Sequence, residues 1–224
     1  MTIIRPYNVK CIMCGRNSSQ TVLASSNTMG YPDLDGRPAP MLGNTIGYWN
    51  QACRYCKYCA SDISKAQKEL KGIKEIISTS EYQSQFSNPE FPEEANIALC
   101  NSILFEKNAL YLEAAQLSLQ AAWICDSNEK IEAARKCRER TIMLIQRWQE
   151  KQKNAKEKKL ESILMVDLYR RVGRLEEAQK LCYETLKTKS KNLKKFLKYE
   201  KKLISDKDTA RHNAGEAFHE EEQS

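Results

Sequence analysis

From residue 93 to residue 204 the apolar positions recur at three- and four-residue spacing, the period of an amphipathic helix, in blocks set apart by turn formers. Pro89 and Pro92 punctuate the chain, and Glu93 and Glu94 suit the positive end of a helix that runs through Ile97, Leu104 and Phe105. A second helix is expected over 110–125. Asp126-Ser-Asn128 is then a stop and an N-cap signal, after which Ile131, Ala134, Thr141, Ile145 and Trp148 form one stripe. The pattern continues over 160–172, 175–186 and 193–204, with Gly173 in a tight turn between two antiparallel helices. Before residue 61 no such period exists. Residues 26–41 are dense in turn formers and hold three of the six prolines, and Thr45-Ile-Gly-Tyr-Trp49 predicts a short strand or extended segment.

The helical blocks also repeat. An offset of 64 residues aligns Tyr111 with Leu175, Glu113 with Glu177, Ala114 with Ala178 and Leu117 with Leu181. The run from Leu168 through Arg170-Arg-Val-Gly173 to Ala178, followed by Cys182, resembles the turn and second helix of a tetratricopeptide unit, in which a small residue lets two helices approach closely. Because 64 is not twice 34, the array is expected to be irregular, with a longer helix around 130–155. The fold class expected is mainly α: an irregular tetratricopeptide-like helical-hairpin array preceded by a small four-cysteine module with short β and loop structure. The expected division is 1–60 for that module, 61–205 for the helical region, and 206–224 for a C-terminal helix and acidic tail.

Composition narrows the class. At 224 residues and 41% apolar the chain can bury a core without disulfide staples, which excludes disorder throughout. No apolar run approaches the roughly 20 residues of a membrane span, and the first ten residues lack a signal-peptide pattern, so neither secretion by that route nor membrane insertion is expected. The net charge of +7 is local. Residues 151–205 hold 17 Lys and Arg against 7 Asp and Glu, a candidate polyanion surface, although Lys-rich solvated helices are common.

The nine cysteines fall into two groups. Cys100, Cys125, Cys137 and Cys182 lie in helical stripes without ligand spacing and read as small core residues. Cys11-Ile-Met-Cys14 and Cys53-Arg-Tyr-Cys56 are C-x2-C pairs, and two such turns supply four thiolates to one ion. Zinc fits best, as one structural ion: four thiolates close the tetrahedron and leave no open position for a catalytic water. Gly15 suits the positive φ such a turn often needs, whereas Lys57 stands at the matching place in the second turn. Cys59 offers a third thiol there and reads as a spare, an alternative ligand or a redox partner.

Three further groups carry candidate chemistry. Asp33, Asp35 and Arg37 read as a charge-assisted hydrogen-bond cluster that fixes the 26–41 excursion, or less favourably as two carboxylates for acid/base work. Tyr48, Trp49, Arg54, Tyr55, Lys57 and Tyr58 mix aromatic and basic residues as a nucleic-acid surface does, though such aromatics more often form a small core. The two histidines, His212 and His219, read as structural; Asp208-Thr-Ala-Arg-His212 looks like an N-capped helix start, and His219 with Glu220 to Glu222 like a frayed end.

With Cys11-x2-Cys14-Gly15, Pro32-Asp-Leu-Asp-Gly-Arg-Pro38, Thr45-Ile-Gly-Tyr-Trp49 and Cys53-x2-Cys56 in view, the chain resembles an uncharacterised bacterial family catalogued as a domain of unknown function. Its members pair an N-terminal four-cysteine segment with a tetratricopeptide-like region. The likeness runs nearly end to end, through Ala121-Ala-Trp123, Arg170-Arg-Val-Gly173 and Asp208-Thr-Ala-Arg-His212, and departs at Lys57 and Cys59, where the family pattern continues as Cys-Gly-Tyr. It implies cytoplasmic zinc binding and no established activity.

The leading expectation is a zinc-stabilised, non-enzymatic adaptor whose helical surface binds a protein or peptide. The alternative is a nucleic-acid-binding protein using the aromatic and basic module with the lysines of 151–159 and 187–202. The third is an enzyme, either a thiol redox protein with Cys56 and Cys59 or a hydrolase with Asp33 and Asp35; no phosphate-binding glycine loop, nucleophile elbow or histidine-containing metal motif accompanies either.

Overall fold

The computed structural model describes residues 2–151, 155–188 and 190–219, with the backbone alone over 155–161 and at 219. Two short antiparallel hairpins come first: β1 (Ile3–Lys10) with β2 (Asn17–Ser25), and β3 (Gln51–Ala52) with β4 (Cys59–Ala60). Helices make up most of the rest: α1 (Pro40–Gly43), α2 (Ile73–Ser78), α3 (Ser80–Phe86), α4 (Glu93–Lys107), α5 (Tyr111–Ser127), α6 (Ile131–Lys151), α7 (Ala155–Arg171), α8 (Leu175–Thr185), α9 (Lys191–Ser205) and α10 (Ala214–His219). The helices expected from periodicity are present, and α6 is the longest among the described residues. Two local expectations are corrected. Residues 46–48 form a 3-10 turn instead of a strand, since the Thr45 hydroxyl donates to the Leu42 carbonyl while accepting from Trp49 Nε1, which winds the segment tightly. Residues 208–212 do not start a helix: Asp208 caps a turn through the Ala210 N–H, and the N-cap is Asn213, whose Oδ1 accepts from Gly215 and Glu216.

Four helix ends share one geometry. Ala109, Glu129, Gly173 and Lys207 each take positive φ after α4, α5, α7 and α9. In each case the following N–H reaches back to a carbonyl five residues earlier: Leu110 to Phe105, Lys130 to Cys125, Arg174 to Tyr169, Asp208 to Leu203. This six-to-one bond stops the helix and reverses the chain. The offset of 64 read from the sequence places Ala109 on Gly173, both of which end a helix in this way, and the matched Ala114 and Ala178 are both fully buried.

The chain forms two compact units, Met1–Asn27 with Met41–Leu144, and Thr28–Pro40 with Ile145–Ser224. This grouping differs from a division at 60 and 205, because the 28–40 excursion leaves the cysteine region to pack with the C-terminal helices and because the hairpins share a core with α2–α4. In the first unit that core joins Val9, Tyr58 and Ile63 to Ile77, Tyr82, Ile103 and Leu104. Buried hydroxyls sit where helices meet, Ser102 donating to the Ala114 carbonyl and Ser118 to that of Cys137. Cys100, Cys125, Cys137 and Cys182 are buried, as expected of core residues.

The second unit is organised around Arg170, which is wholly buried. Its guanidinium meets Asp167 and Glu200 and donates to the carbonyls of Asp208 and Ala210, tying α7 and α9 to the segment after α9. Burial, with the Asp167 carboxylate beside it, pushes Glu200 well above the usual carboxylate range.

Candidate metal centre

Each C-x2-C pair sits in the turn of one hairpin, and the two turns are copies. Residues 11–16 lie between the paired Lys10 and Asn17, and residues 53–58 between the paired Ala52 and Cys59. In the first, Cys11 N–H donates to the Arg16 carbonyl at 2.9 Å and Gly15 N–H to the Cys11 carbonyl at 2.8 Å; in the second, Cys53 donates to Tyr58 and Lys57 to Cys53 at the same distances. The turn requires a left-handed residue in fifth place, filled by Gly15 (φ +71°) and Lys57 (φ +60°). Lys57 is held there by its surroundings: Nζ donates to Gln83 Oε1 and lies over the Phe86 ring, and Tyr82 OH donates to the Lys57 carbonyl.

The turns bring four sulfurs together. The ligand atoms of Cys11, Cys14, Cys53 and Cys56 all lie within 4.8 Å of one another. Cys11 and Cys56 are 3.7 Å apart, Cys14 and Cys53 3.6 Å. Tetrahedral coordination with metal–sulfur bonds of about 2.3 Å requires sulfur separations of roughly 3.8 Å, so the set has metal-site dimensions. Burial raises the Cys11 and Cys56 thiols above the usual range; for Cys53 burial acts the same way but is outweighed by the backbone N–H groups of Cys56 and Tyr55 and by neighbouring sulfurs, which lower it. Four thiolates in so small a volume would repel one another without a cation among them, so the set is compatible with a bound metal ion.

Cys59 stands apart from this set. It is the first residue after the turn, in the ladder position that Asn17 fills in the other hairpin, and its side chain enters the core beside Tyr82 and Cys100. Fully buried, it donates to the Lys57 carbonyl at 3.5 Å, so the fifth nearby thiol is a core residue.

The candidate aromatic and basic surface is divided by the fold. Tyr58 is fully buried and belongs to the core, which removes it from any surface. Trp49 is half-buried, its Nε1 held by Thr45, and Lys57 is engaged as above. Tyr48 and Tyr55 are exposed, and Tyr55 lies between Arg16 and Arg54, whose guanidinium carbons are 5.0 and 5.4 Å from its ring centroid. The lysines of 152–159 lie outside the described residues or side chains.

Asp33, Asp35 and Arg37 are brought together, but in the second unit. Asp33 N–H donates to the Arg37 carbonyl, Gly36 closes the turn at φ +82°, and Arg37 N–H donates to Asp35 Oδ1. The loop is fastened by Leu34 N–H to the His212 carbonyl and Ala214 N–H to the Pro32 carbonyl. Its carboxylates meet arginines from other elements, Asp33 with Arg211 at 2.7 Å and Asp35 with Arg171 at 3.2 Å. Burial, assisted by Asp35, outweighs Arg211 and raises Asp33 to about 6. His212 bridges Glu216 and Asp208 through its two ring nitrogens, next to Tyr199 OH. The sequence reading missed the partners Arg170, Arg171, Glu200 and Arg211. Their one signal was the two arginines in a helix stripe otherwise made of core residues. The side chain of His219 and residues 220–222 lie outside the described residues.

Among the described residues no helix is long and apolar enough to cross a membrane. Comparison with protein-family models, with curated proteins and with solved structures finds no match.

Proposed function

We propose that the chain is a zinc-stabilised, non-enzymatic interaction protein whose tetratricopeptide-like helical array receives a protein or peptide. The observation that carries this reading is the closed four-sulfur set, placed in the turns of two hairpins that share their core with α2–α4. Four thiolates complete the coordination of one zinc ion, so its contribution is folding free energy and not a reactive water. Zinc suits the site because it accepts tetrahedral thiolates and brings no redox chemistry.

The place for a partner is a surface groove of about 290 Å³ in the second unit, between α6, α7 and α8. Met165, Tyr169 and Leu181 supply its apolar wall, while Lys180 and Glu184 at its rim can bond a peptide backbone. Tyr169 is fixed by Gln146 Nε2 on its hydroxyl and by Arg174 over its ring, which gives the wall a set shape. A peptide-display selection against the full chain tests the reading, with Leu181→Asp as counter-screen. The expected result is a family of peptides whose affinity falls at least tenfold on that variant; selected peptides that bind both proteins equally would refute the groove.

A further inference from the structure

His212 joins the two ends of the 208–216 segment through both nitrogens of its ring. Nδ1 lies 2.6 Å from Glu216 Oε2 and Nε2 lies 3.0 Å from Asp208 Oδ2, while the Tyr199 ring packs edge-on against the imidazole. An ionised carboxylate has no proton to give, so both contacts are hydrogen bonds only when both ring nitrogens carry one. The Ala210 N–H, with His212, holds Asp208 below the usual carboxylate range. At Glu216 burial is outweighed by the Asn213 N–H, His212 and the Tyr199 hydroxyl, which lower it too. The arrangement is that of an imidazolium between two carboxylates.

The same segment fastens the 28–40 loop. The His212 carbonyl accepts from the Leu34 N–H at 3.0 Å, the Ala214 N–H donates to the Pro32 carbonyl at 2.8 Å, and Arg211 meets Asp33. Leu34 packs on the cluster of Tyr199, Leu203 and Ala217.

We propose that His212 is a proton-operated latch, whose imidazolium fastens the 28–40 loop to the C-terminal segment and whose neutral ring loosens it. A neutral ring has one N–H and satisfies one carboxylate, so the other faces a nitrogen lone pair. Tyr199 stands ready for that change. Its hydroxyl donates to Glu216 Oε2 at 2.9 Å and lies 3.2 Å from Nδ1, so it can turn to the ring and leave Oε2 without either donor. Glu216 then keeps the bonds of Oε1 to Asn213. Of the other charged groups around the segment, Arg170 of α7 donates to the Asp208 and Ala210 carbonyls and meets Asp167 and Glu200, while Arg171 meets Asp35. Asp33, raised to about 6 by burial against the pull of Arg211 and Arg37, also favours its protonated form, so acid fastens the loop on both counts.

The latch involves neither the groove nor the metal site, and its test uses the full chain. Nuclear magnetic resonance of the isotope-labelled protein reads the ring and the loop together. At about pH 5.5 both His212 nitrogens are expected to carry protons and the Leu34 and Ala214 amides to be protected from exchange. By about pH 7.5 one nitrogen has lost its proton, and protection, corrected for the intrinsic rate, has fallen about tenfold, as a tenfold difference in proton affinity between the two forms requires. The two changes should share one midpoint. His212→Gln, which cannot take a charge, should exchange at the loosened rate throughout, whereas Asp33→Asn should keep a fall that follows the His212 ring. A single protonated nitrogen at the acid end, or protection that does not change with pH, would overturn the proposal. The full wild-type dependence in His212→Gln would also overturn it and pass the effect to Asp33. Should that variant fail to fold, the wild-type protein decides alone, and separate midpoints for ring and amides would refute the latch.

Discussion

Gly15 and Lys57 fill the same left-handed position in two copies of one turn, and they meet its cost differently. At Gly15 a Cβ would touch nothing within 4 Å, so Gly15→Ala isolates the backbone term. It should lower the stability of the metal-loaded protein by about 1–2 kcal/mol in urea denaturation while metal content stays that of the wild type. Cys59 separates a ligand from a core thiol by the same readouts. Cys59→Ser places a hydroxyl in a core with room for a small apolar group, costing about 1–3 kcal/mol, yet metal stoichiometry should be unchanged; loss of metal would return Cys59 to the ligand set. At Asp33 the prediction is one of pH. A carboxyl whose pKa is higher folded than unfolded binds more protons in the folded state, so its contribution to stability falls as pH rises from about 4 to about 6. Asp33→Asn removes that slope, and the difference in melting temperature between variant and wild type should shift in favour of the variant across this window. A constant difference would contradict the assignment.

At the scale of elements, the helices were legible because their period, caps and turns all agree. The clustering of the four cysteines was equally legible, since the C-x2-C spacing is itself the turn that aims two sulfurs. What escaped was long-range. Nothing local in Pro32-Asp-Leu-Asp-Gly-Arg-Pro38 tells that Leu34 packs on Tyr199, Leu203 and Ala217, or that Arg171 and Arg211 wait for its carboxylates. For Tyr58 the sequence left both a core and a surface reading open, with core favoured, because aromatic and basic residues alternating along a loop fit either until the core beneath them is known. The 3-10 turn at 46–48 was missed because a threonine hydroxyl, and not hydrophobic alternation, determines that segment. The matched positions at an offset of 64 give the sharpest prediction at this scale. Ala114 and Ala178 occupy matching buried positions, so Ala178→Leu should overpack its site and destabilise by about 1–3 kcal/mol, seen as a lower denaturation midpoint with no change in metal content. Ala114→Leu should behave alike, and tolerance at either position would weaken the proposal that the two segments are copies of one unit.

For the whole molecule, the four cysteines come from segments 39 to 45 residues apart, and bringing them together closes the first unit's hairpins onto its helical core. On the proposed reading, binding of an ion by these four cysteines would be coupled to folding of that unit. The central claim is that one zinc ion joins Cys11, Cys14, Cys53 and Cys56. Zinc-edge X-ray absorption of the full chain, purified under reducing conditions and assayed for metal, tests it most directly. The account predicts one zinc per chain with four sulfur neighbours at about 2.3 Å and no nitrogen or oxygen in the first shell. A metal-free protein that folds and whose cysteines have become disulfides, or a zinc shell containing oxygen, would contradict it.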